Sequence, residues 1–285
     1  MPLETLEQGP RIQDLVIDPV NEPEICFDTD KELTPERWAD LKEELDYFRK
    51  NEIARFLTRA WESAYVWPDR KQELGLDKDV FQRGQNCLNP LERLADTETA
   101  RSIYCDAYIY RAGSLKLTFP NETASMTFSL DMFESVRLAS DEPRKRLGTK
   151  YFHFLFYSRF LYPQQFATLP IDDDLYQDIN AEIKSAERSE NWFRFLQTLF
   201  YSRMLFPDRY QKDTISPASW RACLEYFRGH TKDKIKVEDL PEAALELKVL
   251  AADRIIIHDN GFEIIEEKSK FEDSQPPSPP ASLNF

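Results

Sequence analysis

The chain reads as all-α: a curved α-solenoid of about five to six helix-loop-helix repeats of about 43–45 residues, with degenerate terminal repeats. Three observations predict this. An aromatic-proline step occurs four times, as Trp67-Pro68, Phe119-Pro120, Tyr162-Pro163 and Phe206-Pro207. Nine residues after each Pro stands Asp77, Ser129, Asp172 or Ser216, and four residues later Phe81, Phe133, Tyr176 or Trp220. Glycine is scarce, 7 residues in 285, which disfavours tight β-hairpins and glycine-rich phosphate loops.

Taken in order, residues 1–33 read as an irregular segment, 34–268 as the helical-repeat domain and 269–285 as a disordered Pro/Ser-rich tail. Thr34-Pro35 opens the first helix: the threonine oxygen can accept from an orphan first-turn amide, and Pro is tolerated at the first helical position. The same signal starts short helices near 78, 130, 173, 217 and 260, the last led by His258-Asp259. The aromatic series Trp38, Phe81, Phe133, Tyr176, Trp220, Phe262 has spacings of 43, 52, 43, 44 and 42. The long interval implies an insertion near Asn89-Pro90. Each of these aromatics faces inward, so Trp220→Ala is expected to cost about 3–5 kcal/mol.

The second helix of each unit runs into the aromatic-proline step and stops there. Proline cannot continue a helix and pushes the residue before it out of the α region. These helices are expected over 49–66, 92–118, 149–161, 190–205 and 241–251. Ile53, Phe56, Leu57, Trp61 and Ala64 form one apolar helical face, and Phe193, Leu196, Phe200, Met204 and Leu205 another. In repeat length and helix pairing, Pro35 to Lys268 resembles the HEAT and armadillo type of two-helix repeat proteins. The resemblance implies an extended, repeat-built surface for a protein partner.

Composition narrows the function. A net charge of −14 opposes binding to nucleic acid and anionic membranes. The N-terminus lacks the basic and apolar regions of a secretory signal, and no apolar run is long enough to span a bilayer, so a cytoplasmic location is expected. Cys26, Cys87, Cys105 and Cys223 are widely spaced, as free thiols in a reducing compartment would be. No nucleophile motif, zinc-ligand spacing or cofactor loop is present, so a non-catalytic interaction protein without a cofactor is the expected class.

Three features compete with that reading. The acid run Asp172-Asp173-Asp174 could place Asp173, Asp174 and Asp178 on a divalent metal, giving an all-α metal-dependent enzyme; alignment with the other caps favours helix capping for Asp172. Lys116, Arg159, Arg203 and Lys248 stand four residues before the Pro position, and Arg70, Arg209 and Arg254 two after it. Stacked units turn these into rows, which serve either as a basic stripe for an acidic peptide or phosphate, or to satisfy helix C-termini. A nucleic-acid-binding α-solenoid is the third alternative, disfavoured by the charge.

Overall fold

A computed structural model describes Phe27 and residues 32–95, 101–141, 149–210, 215–230 and 235–265. The tail expected to be disordered, and nearly all of the N-terminal segment, lie outside the described residues. The chain is mainly helical. In order come α1 (Pro35–Asn51), α2 (Ile53–Val66), α3 (Lys78–Asn86), α4 (Asn89–Ala95), α5 (Arg101–Thr118), α6 (Leu130–Asp141), α7 (Thr149–Leu161) and α8 (Pro163–Phe166). There follow α9 (Asp173–Arg188), α10 (Trp192–Leu205), α11 (Pro217–Phe227), α12 (Leu240–Ala251), β1 (Arg254–His258) and β2 (Gly261–Ile265).

The repeat has a physical meaning at both ends of each unit. Thr34, Asp77, Asp172 and Ser216 cap α1, α3, α9 and α11, each accepting from the amide three residues on at 2.9–3.3 Å. The aromatic four residues past the cap then packs on the aromatic of the following proline step. Trp38 meets Trp67 at 6.0 Å, Phe81 meets Phe119 at 5.3 Å, Phe133 meets Tyr162 at 5.1 Å and Tyr176 meets Phe206 at 5.2 Å. The starts of α1, α3, α6 and α9 are thereby clamped to the ends of α2, α5, α7 and α10, a contact worth about 0.5–1.5 kcal/mol beyond the area buried. Pro68, Pro163 and Pro207 each begin a short helical turn rather than a plain loop. The insertion near Asn89-Pro90 is α4.

An open solenoid would hold its first and last units apart. Here α2 packs on α5, α5 on α7, α7 on α10, α10 on α12, and α12 back on α2, so five inner helices close into a ring. Gly113 permits the closest approach: a Cβ there would lie 2.1 Å from a ring carbon of Tyr157. The outer layer closes as well. Arg37 donates to the Phe227 carbonyl at 2.7 Å and lies over its ring, while Arg228 pairs with Glu32. The first and last units therefore face each other, not solvent as terminal caps would.

The C-terminal unit departs from the expected helix near 260. Residues 254–265 form an antiparallel hairpin, with Ile257 opposite Phe262 and His258 opposite Gly261. The β-branched run Ile255-Ile256-Ile257, followed by Asp259-Asn260-Gly261, favours strand-turn-strand, and Gly261 takes φ 151°, which a side chain would oppose. Phe262, 4% exposed, stacks on Tyr65 of α2 at 4.4 Å and lies 6.4 Å from Phe156 and Phe160 of α7. It plugs the ring where the inner helices end. Trp220 also departs from expectation: it is only half-buried, and the position equivalent to the proline-step aromatics is Ala251.

Candidate small-molecule site

The two ends of the ring differ. At the C-terminal end, the cations of the predicted rows are taken up by the fold. Arg159 donates to the Met204 carbonyl at 2.6 Å, and Arg203 donates to those of Val249, Leu250 (3.0 Å) and Ala252 (2.6 Å). Lys248 donates to Val66 at 3.1 Å. Each reaches from one inner helix to the last carbonyls of the next, where orphan acceptors and the helix dipole both favour positive charge. Lys248 carries the pattern across the join between last and first units.

The other predicted cations are distributed differently. Lys116 faces Asp259 of the hairpin, and burial lowers its pKa. Arg70 lies over Trp38, Arg209 lies over Tyr176 and pairs with Asp173 at 2.5 Å, and Arg254 is exposed on β1. These seven residues do not make one stripe. Nor does the acid run converge: Asp172 caps α9, Asp173 holds Arg209, Asp174 is exposed and Asp178 half-buried. Among the described residues no group of three His, Cys, Asp or Glu is arranged to hold a metal ion. Cys87, Cys105 and Cys223 are free thiols, and no described helix is long and apolar enough to cross a membrane.

Toward the N-terminal end of the inner helices, a cavity of about 480 Å³ opens among the N-terminal halves of α2, α5 and α7. Its wall carries Arg55, Arg59, Arg111 and Lys150 against the single carboxyl of Asp106. Arg55 pairs with Glu238 at 2.5 Å and Arg111 donates to the Cys87 carbonyl at 3.4 Å, while Lys150 is exposed. Ile103, 68% exposed, stands at the rim.

Deeper lies a cluster drawn from all five inner helices. Arg59 Nη1 donates to Glu62 at 2.9 Å and to Glu242 at 2.7 Å, and its Nη2 to Asp239 at 2.8 Å. Gln197 donates to the other oxygen of Glu242 at 2.8 Å. Thr58 and Ser114 share a hydrogen bond at 2.9 Å. Behind them a second space of about 20 Å³ is bounded by Trp61, Glu62, Tyr110, His153, Tyr157, Tyr201, Glu242, Glu246 and neighbouring apolar side chains. Tyr110, His153 and Tyr157 border both spaces. Glu246 is 2% exposed, and its Oε2 has no hydrogen-bond partner; the same holds for Trp61 Nε1.

Burial and neighbouring charge drive these acids apart. Desolvation pushes Glu62 up to about 8 despite Arg59. Glu246 rises well above the carboxylate range, through burial first and then through Glu242 and Glu62. Burial also acts upward on Glu242, but Arg59, His153 and Gln197 outweigh it and hold it below its ordinary value. Burial lowers His153, leaving a neutral imidazole at pH 7. The centre therefore holds Glu242 on the ionised side and Glu62 and Glu246 on the neutral side, with Asp239, also raised by burial, as a further partner of the Arg59 guanidinium.

None of Arg59, Glu62, Glu242 or Glu246 stands in the aromatic-proline repeat. Their signal in the sequence is local: charges embedded in apolar helical faces, Arg59 and Glu62 beside Phe56, Leu57 and Trp61, and Glu242 and Glu246 within Leu240–Leu250. No family model matches the chain, and no curated protein or solved structure is significantly similar to it.

Proposed function

We propose that the protein is a non-catalytic binding protein whose ligand is a small organic anion, seated in the funnel at the N-terminal end of the ring. The reading keeps the binding role expected from the repeat and moves it from an extended outer surface to the interior. In architecture it corresponds to a HEAT- or armadillo-like array joined end to end.

One observation carries it: in a chain of net charge −14, a cavity of about 480 Å³ is walled by four basic side chains. That volume falls in the range of small-molecule sites, roughly 300–1,000 Å³. The test is isothermal titration with small carboxylates and phosphate esters, each beside a neutral analogue of equal size. The double variant Arg111→Glu/Lys150→Glu should weaken the anions about tenfold or more. Equal binding of the neutral analogues, or no response to the variant, would sink the reading.

A protein partner is a second reading, favoured by Leu130 and Leu138 on α6, which are 49% and 61% exposed. A partner retained by the wild type and lost by Leu130→Glu/Leu138→Glu in a pull-down would support it. Equal retention would remove it.

A further inference from the structure

We propose that the inner space behind Tyr110, His153 and Tyr157 is a subsite for a primary ammonium group, so that the preferred ligand carries an amine at one end and an acidic group at the other. This rests on the funnel being a ligand site, and it adds the chemistry of the far end.

The charge distribution along the ring axis is the first reason. The outer wall carries Arg55, Arg111 and Lys150, whereas the inner space is lined by Glu242 and Glu246 from α12, Glu62 from α2, neutral His153 from α7 and Tyr110, Tyr157 and Tyr201; Arg59, held by Glu62, Glu242 and Asp239, stands between the two. Three carboxyls thus share one fixed cation, and a fourth, that of Glu246, has an oxygen with no partner. Two of the four stay neutral for want of a second cation, and a buried charge is tolerated only when it is paired.

Glu246 is the second reason. Its nearly inaccessible side chain borders this space and carries an unpartnered oxygen, Oε2. An apolar residue there would avoid the desolvation of a carboxyl altogether, so the oxygen is left for something that arrives.

Size is the third. About 20 Å³ admits one water-sized group and no more. A primary ammonium meets that limit and donates three hydrogen bonds, whereas a quaternary or guanidinium head does not fit. The rings of Phe156, Tyr157, Phe200 and Tyr201 around it suit a cation as well as an alkyl stem. Tyr110, His153 and Tyr157 border the passage, so entry requires one of these side chains to turn. Binding is then linked to protons: an arriving ammonium ionises Glu246, and up to one proton leaves to solvent. Trp61 Nε1, an unpartnered donor on the same wall, would instead accommodate a hydroxyl tip, which defines the rival ligand.

The experiment is isothermal titration of the whole chain at pH 7 with 6-aminohexanoate, hexanoate, hexylamine and 6-hydroxyhexanoate, in two buffers of different ionisation heat. Shorter and longer homologues cover the span between the ends. The expected result is that the amino acid binds about tenfold or more tighter than hexanoate and releases a proton. Glu246→Gln, which resembles the neutral carboxyl in shape, should remove that gain and the proton release while leaving hexanoate unchanged. If hexanoate binds and no amine in the series binds more tightly, the ammonium subsite is wrong and the funnel stands. If hexylamine binds and hexanoate does not, the funnel reading fails instead. Tighter binding of the hydroxy acid, or no binding by any member, overturns the proposal. The wild-type comparison decides even if the variant fails to fold.

Discussion

Raising the pH from 6.5 to 8 should destabilise the protein, and the central acids set the size of the effect. A carboxyl whose folded pKa lies above its unfolded value stabilises fully below the unfolded value, and that stabilisation is lost as pH rises through the folded one. Glu62 is raised from 4.5 to about 8, so the window runs from the ordinary carboxylate range to about pH 8. His153 works the other way. Its lowered pKa costs stability as pH falls below the unfolded value of about 6.5, and above that it is silent. Between pH 6.5 and 8, Glu62 alone should therefore remove about 1.5 kcal/mol, at about 1.4 kcal/mol per unit where the slope is full. Glu246 adds to the loss with the same sign. Urea unfolding followed by circular dichroism at half-unit steps measures it, and Glu62→Gln should flatten the slope. Stability that is flat or rising across this interval, or a Glu62→Gln slope equal to wild type, would refute the assignment of neutral buried acids.

Other expectations concern the ring. Arg203→Met removes the donor to the Val249, Leu250 and Ala252 carbonyls, of which Leu250 keeps Tyr210, and should cost about 2 kcal/mol or more in chemical denaturation, since each buried acceptor left unsatisfied costs about 1–3; a loss below about 1 would mean water replaces it freely. Phe133→Ala, at a site 1% exposed and clamped to Tyr162, should cost about 3–5 kcal/mol, and Trp220→Ala distinctly less. Equal losses would contradict the partial burial of Trp220. Gly113→Ala forces a methyl into Tyr157 and should destabilise by about 1–3 kcal/mol, read as a lower melting temperature.

What could be read in the sequence was whatever recurs. Caps at Thr34, Asp77, Asp172 and Ser216, and helix ends at Trp67, Tyr162 and Phe206, follow from local rules that act within a few residues. Ring closure is not local, because Lys248 meets Val66 across 182 positions. The hairpin has a local signal in Ile255-Ile256-Ile257 and Asp259-Asn260-Gly261, but extending the repeat to Phe262 predicts a helix from near residue 260 where the second strand runs. The site escaped for a related reason. A repeat highlights equivalent positions, whereas Arg59, Glu62, Glu242 and Glu246 are what the units do not share.

The contact between α12 and α2 also bears on how the chain could be cut and rejoined. In a ring, the place where the polypeptide starts is an accident of connectivity. A circular permutant that joins the hairpin to the segment before α1 and opens instead at another outer loop would have the same neighbours throughout. Adding or removing one unit, which an open array absorbs at its end, would here change the curvature demanded of every other unit.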